Sequence, residues 1–159
     1  MGPVRRGRTT TKEREPVPTP SSPEASSLEQ IENSYWGDAP ADATRLVATA
    51  HELRRKPVGT LDVEDLRLLL GQQEGVEVLT PLALTKLEAD PLAEGDYYPG
   101  DLFEAVLKNP AQYWLDHPDQ RARVARIIEG IKTLGNLEDH DAPHDSIWKT
   151  INRFLSATE

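Results

Sequence analysis

From Ser27 onward apolar residues recur at intervals of three and four with polar residues between them, the pattern of helices that bury one face. Ser27 stands three residues before Gln30, a capping-box spacing, and Leu28, Ile31 and Tyr35 follow at helical intervals until Trp36 and Gly37 close the helix. Over residues 42–55 a stripe of Ala43, Leu46, Val47, Ala50 and Leu53 predicts a second helix, with Arg45, Glu52 and Arg55 off the stripe; Pro57 and Gly59 break it. Asp62 is the predicted cap of a third, with Glu64 and Asp65 in its first turn, Val63, Leu66, Leu69 and Leu70 as its apolar face, and Gly75 as its stop.

Thr80 before Pro81 predicts another start, with Leu82, Ala83, Leu84 and Leu87 buried and Asp90-Pro91 as the end. Tyr98-Pro99-Gly100-Asp101 reads as a turn, after which Asp101 caps a helix with Glu104 three residues on. Asn109-Pro110 opens a short helix holding Tyr113 and Trp114, and Pro118 opens a longer one with Val124, Ile127, Ile128 and Ile131 on one side, ended by Gly135 and Asn136. Glu138 to Asp145 is an acidic loop in which Asp145 caps the last helix, whose stripe is Ile147, Trp148, Ile151, Phe154 and Leu155. No segment alternates with period two, and no unit of about 20–50 residues repeats. The expectation is an all-α fold: a compact single-domain bundle of about seven or eight helices over residues 27–157.

Composition changes this picture at one end. Hydrophobic residues are 37% and aromatic residues 6% of the 159, a lean count caused by the first 26. There, Arg5, Arg6, Arg8, Lys12 and Arg14 precede Pro16, Pro18, Pro20 and Pro23, with no apolar face to bury, so residues 1–26 are expected to be a disordered basic, Pro-rich tail. Lacking aromatic residues to stack on bases, it reads as a leader rather than a nucleic-acid arm. Cysteine is absent, which removes disulfides, thiolate metal ligands and thiol nucleophiles and permits a reducing cytoplasm. The longest aliphatic run is Leu68–Leu70, far below the roughly 18 apolar residues of a membrane span. No apolar stretch follows the basic start as a secretory signal requires, and Arg6 stands where a myristoylation motif needs Ser or Thr.

Charge is divided unequally. The net charge is −9, but residues 1–15 carry +3, leaving −12 on residues 16–159. A body of that sign repels nucleic acid and anionic membranes and attracts basic proteins.

Candidate chemistry is sparse. His140-Asp141-Ala142-Pro143-His144-Asp145 offers two imidazoles and nearby carboxylates to a divalent ion, but Pro143 prevents one regular helix from aligning them, and an acidic connector is the simpler reading. His51-Glu52 is half of a zinc-protease motif whose second histidine is replaced by Arg55. Asp90, Glu94, Asp96 and Asp101 crowd around Tyr97 and Tyr98 as conceivable acid and base, although caps and turns explain them without chemistry. Arg121, Arg123 and Arg126 form a small basic group on a helix face. Glycine-rich phosphate loops and nucleophile elbows are missing. The expectation is no catalytic residue, no cofactor, no metal and no small-molecule substrate.

The run Gly71-Gln72-Gln73-Glu74-Gly75-Val76, then Leu79-Thr80-Pro81-Leu82-Ala83-Leu84, Asp90-Pro91-Leu92 and Glu94-Gly95-Asp96-Tyr97-Tyr98-Pro99-Gly100-Asp101-Leu102, resembles the small immunity proteins of contact-dependent growth inhibition (CDI) systems. Leu28-Glu29-Gln30, Trp36, Leu53-Arg54, Pro57 and Leu66-Arg67 fit the same pattern in order, and Phe103 stands where it has leucine. The resemblance covers roughly residues 27–117. It implies a cytoplasmic antidote that binds a cognate toxin domain delivered by neighbouring cells and blocks it by occlusion. Joined to the acidic body, it points to a basic toxin domain as partner, with Asp90, Glu94, Asp96, Glu138, Asp139 and Asp141 as toxin-binding candidates. Two other readings stand beside it: a helical adaptor or scaffold whose basic Pro-rich tail recruits partners, and a small hydrolase using the His140–Asp145 cluster. Removing the tail tests the first, and metal analysis the second.

Overall fold

A computed structural model describes residues 23–159, and among these the chain forms eight α-helices, no strand and three short 3-10 turns. The helices are α1 (Leu28–Glu32), α2 (Arg45–Leu53), α3 (Val63–Gly71), α4 (Val76–Ala89), α5 (Asp101–Leu107), α6 (Ala111–Asp116), α7 (Pro118–Thr133) and α8 (His144–Ala157). This is the all-helical bundle that the apolar periodicity predicts. Helices α3, α4 and α5 pack on one another; α2 lies against α3, α7 against α4, and α8 against α5. Every residue of α5 is buried, so this short helix forms the centre. Around it lie Leu66, Leu69 and Leu70 of α3, Leu79, Leu84 and Leu87 of α4, Ile127 and Ile131 of α7, and Ile147 and Ile151 of α8. Burying each such side chain contributes about 1.5–3 kcal/mol, the main term holding the bundle together.

Local signals hold where a polar side chain meets a helix start. Ser27 and Gln30 exchange both bonds of a capping box, Gln30 N to Ser27 Oγ at 3.3 Å and Ser27 N to Gln30 Oε1 at 2.9 Å. Asp62 and Asp65 do the same at α3. Pro118 begins α7, and Val124, Ile127, Ile128 and Ile131 are buried as their spacing predicts.

Six expectations need correction. The first helix ends at Glu32, not at Trp36, because Asn33 takes a left-handed φ of 52°; Ile31 and Tyr35 are exposed, off the core. In α2 only Ala50 and Leu53 are buried; Leu46 and Val47 face solvent because nothing packs over that half of the stripe, and Thr44 supplies the cap. Thr80 is not a cap: α4 begins at Val76, with Pro81 inside it, and Thr80 is fully buried, accepting a hydrogen bond from Asn109 Nδ2 at 2.9 Å. Burial of Leu79 and Thr80 outweighs the one backbone bond that Pro81 cannot make. Gly75 starts α4 rather than stopping α3, at a φ of +65° where a Cβ would lie 2.8 Å from the buried Leu28 Cδ1. Asp101 is the first residue of α5, behind a left-handed Gly100, and Asp145 is the second residue of α8, which Pro143 precedes; neither caps its helix. Finally, Leu155 faces solvent and Trp148 is only half-buried on α8.

The expected tail falls mostly on residues 1–22, outside those described. Its last four residues are tied to the body: the Pro23–Ala25 turn meets the Val58–Thr60 turn, and the Val58 amide donates to Ser26 O at 2.9 Å. No helix among the described residues is long and apolar enough to cross a membrane.

Candidate functional site

The loop between α4 and α5 is held from beneath by carboxylates. Asp101, buried to 4% exposure, accepts from Gly95 N at 2.6 Å and from Tyr97 N at 3.0 Å. Glu64 on α3 accepts from Asp96 N at 2.8 Å and takes both Nε and Nη2 of Arg67 at 2.6 Å. Arg67 in turn lies 3.8 Å from Asp101 Oδ2 and 4.3 Å from the centre of the Tyr97 ring. Three consecutive loop amides or their neighbours thus point inward, which leaves Glu94 and Asp96 exposed to solvent. Gly95 permits this close approach, since a Cβ there would lie 2.5 Å from Glu64 Oε1.

The second acidic segment is fastened to the same loop. Glu104, buried to 3% exposure in α5, accepts from Tyr98 Oη at 2.7 Å, from Ser146 Oγ at 3.3 Å and from Thr150 Oγ1. Burial, and then the Glu104 carboxylate beside it, push the Tyr98 phenol well above its ordinary pKa, so it remains a donor. Tyr98 and Ser146 consequently share one open depression with Glu138 and Asp141. Asp139 is exposed on the same 3-10 turn, Leu137–His140. Asp90 does not line that depression; it ends α4, its Oδ1 accepting from Leu92 N at 3.1 Å.

These acids do not all have the same freedom. Glu138 Oε2 accepts from His144 N at 3.2 Å at the start of α8, and Asp141 sits at a left-handed φ of 62° closing the turn. Among the described residues the side chains of Glu94, Asp96 and Asp139 take no intramolecular hydrogen bond or ion pair, so these three are available to a partner. The two histidines of the acidic segment serve the backbone: His144 Nδ1 accepts from Leu137 N at 3.1 Å, and His140 Nε2 lies 3.3 Å from Leu134 O. No group of three or more His, Asp or Glu among the described residues is arranged to hold a metal ion. Of the three arginines on α7, Arg123 grips Glu88 through two bonds of 2.8 Å and Arg121 donates to Thr158 O at 2.8 Å, leaving Arg126 exposed.

The Glu64 clamp carries a pH dependence. The Arg67 hydrogen bonds hold the Glu64 carboxyl below its ordinary range, partly opposed by burial and helped by the Asp96 amide. A carboxyl whose folded pKa is depressed contributes stability above its unfolded pKa and loses it as pH falls through the folded one. Glu74 works in the opposite sense, since burial raises its pKa, and so it favours the folded state below its folded pKa. Urea unfolding from pH 7 down to pH 3 should show the Glu64 contribution as a fall in stability in the acid limb, offset in part by Glu74. Glu64→Gln should flatten that fall, and an unchanged slope would remove Glu64 from it.

Glu104 could have been suspected from the sequence, because it is the one charged side chain within Leu102–Leu107. Arg54 carries no comparable flag: it reads as a polar residue ending α2, yet it is 1% exposed.

A family model described as CDI immunity proteins matches residues 30–124. That span is well over half of the chain, which therefore belongs to the CDI immunity protein family. No curated protein and no solved structure matches it.

Proposed function

We propose that this member of the CDI immunity family acts in the cytoplasm by binding one cognate, basic toxin domain and covering its working surface, without chemistry of its own. The observation that carries this reading is the acidic surface built around the buried Asp101 and Glu104. These two side chains pin Glu94 and Asp96 on one loop and bring Glu138 and Asp141 next to Tyr98, while the −12 of residues 16–159 supplies the long-range field. Asp139 extends the same surface, and Asp90 contributes charge from the end of α4. Occlusion needs such a surface and no nucleophile, metal or cofactor.

The test is association kinetics with the toxin domain encoded beside this protein, across salt concentrations. Raising salt shortens the Debye length from roughly 10 Å at 0.1 M to roughly 3 Å at 1 M, so the association rate should fall while dissociation changes far less. Lysine at Glu94, Asp96 or Asp139 should lower the association rate without altering the unfolding midpoint, whereas Glu138 would also lose its bond to the His144 amide. Binding should survive removal of residues 1–22, which spares the tied Pro23–Ser26 and separates this reading from a tail-driven adaptor. A salt-independent association rate would remove steering, and no binding at all would remove the proposed function.

A further inference from the structure

We propose that the apolar anchor of the toxin contact is the face made by Trp36, α2 and Tyr97, a surface distinct from the acidic depression; this inference rests on the function proposed above. Among the described residues eight large apolar side chains are exposed, and Trp36, Leu46, Val47 and Tyr97, the last 70% exposed, belong to this face, with Ile31 and Tyr35 in the segment just before it. Leu115 and Leu155, on α6 and α8, are the remaining two of these eight.

The surface has two parts, joined at Leu46 and Val47 on α2. The Trp36 ring meets His51 edge-on at 4.8 Å, and His51 Nδ1 lies 3.1 Å from Gly37 O, so the segment before α2 folds back on that helix. Val47 is one turn before His51, on the same face. Leu46, the adjacent residue, lines with Leu68, Tyr97 and the charged Arg45, Glu64 and Asp96 a groove of ≈ 280 Å³ between α2, α3 and the α4–α5 loop. Both aromatic rings of this face are held by cations: Arg54 lies 4.5 Å from the Trp36 centroid and Arg67 4.3 Å from that of Tyr97, which lines the groove. Rings already fixed in place lose little freedom on binding, which is the character of interface anchors.

Charge decides the occupant. Residues 29–67 contain eight acids and five bases. Arg54 pairs with Glu32 and Glu74, Arg55 with Asp38, Lys56 with Asp65 and Arg67 with Glu64. These pairs consume acids as well as bases, so the five bases against eight acids leave a net charge of −3 on residues 29–67, and that surround complements a partner that presents an apolar side chain amid Lys and Arg. A second copy of this chain would bring another −12 body against the same acids.

The experiment measures affinity and dissociation of the full chain and its cognate toxin domain, for wild type and for Leu46→Ser, Val47→Ser and the double variant. These side chains are about 40% exposed, so unfolding midpoints should stay put. Each single change should weaken binding about tenfold, chiefly through faster dissociation, and the double change more. A double variant that binds like wild type would overturn the inference and leave the proposed function standing; absent wild-type binding would overturn both. Two further results would overturn it in favour of another occupant. One is a wild-type dimer, seen by light scattering, that Leu46→Ser dissociates. The other is tighter toxin binding on removal of residues 1–22 together with insensitivity to Leu46→Ser.

Discussion

Arg54→Ala should destabilise the fold by about 3 kcal/mol, the low end of what breaking a buried charge pair costs. The Arg54 side chain is 1% exposed and joins three separate stretches of chain. Its Nη1 reaches Glu32 Oε1 at 2.8 Å and Glu74 Oε1 at 3.2 Å, its Nη2 donates to Ser34 O at 2.8 Å, and its plane lies against Trp36. With the buried Leu28 it holds α1, which at five residues is too short to persist alone. The low end applies because both carboxylates are about one-third exposed and stay partly hydrated, and because Arg54 Nε is already buried without a partner. Arg54→Met, which keeps the volume, should cost about half as much. Denaturant unfolding gives the totals, and hydrogen exchange should show residues 28–36 opening ahead of α5. Equal protection of the two regions would mean that Arg54 does not hold α1.

Glu104→Ala should cost about 2–3 kcal/mol, from a cavity at the centre of the bundle and from the hydroxyls left without an acceptor. Water reaches part of this loss, since Ser146 is exposed and Thr150 Oγ1 also bonds Ser146 O at 3.1 Å. Glu104→Gln retains an acceptor and should cost about 1 kcal/mol or less. The functional consequence is separable from stability. Without Glu104 the loop bearing Tyr98 loses its tie to α8, and the two acidic segments no longer share a fixed depression. Under conditions where Glu104→Ala is fully folded, toxin association should be slower than for Glu104→Gln. Equal rates would show that the relative placing of the segments is unimportant.

Both residues show what linear patterning can and cannot reveal. The all-helical class, the apolar faces of α3 and α7, the capping box at Ser27 and the cap at Asp62 were legible because each depends on neighbours within one or two turns. The acidic candidates were legible as charges, but their duties were not. Glu138 and Asp141 carry local structural roles, whereas Glu94, Asp96 and Asp139 are exposed and take no side-chain bond among the described residues.

The sequence by itself determined the elements whose energetics are local: where polar caps satisfy helix ends, which faces are apolar, and that residues 16–159 are strongly acidic. Only the tertiary structure decided which apolar faces find a partner and which carboxylates go inside. Leu46 and Val47 obey the helical stripe as well as Ala50 and Leu53 do, yet no element covers them. Asp101 has the spacing of a cap but turns to the amides of Gly95 and Tyr97, and Thr80 has the look of a helix start but is buried beneath Asn109. The physical reason is range: hydrogen bonds that cap a turn are set by residues three apart, whereas burial is set by contacts between segments tens of residues apart, which periodicity along the chain does not encode.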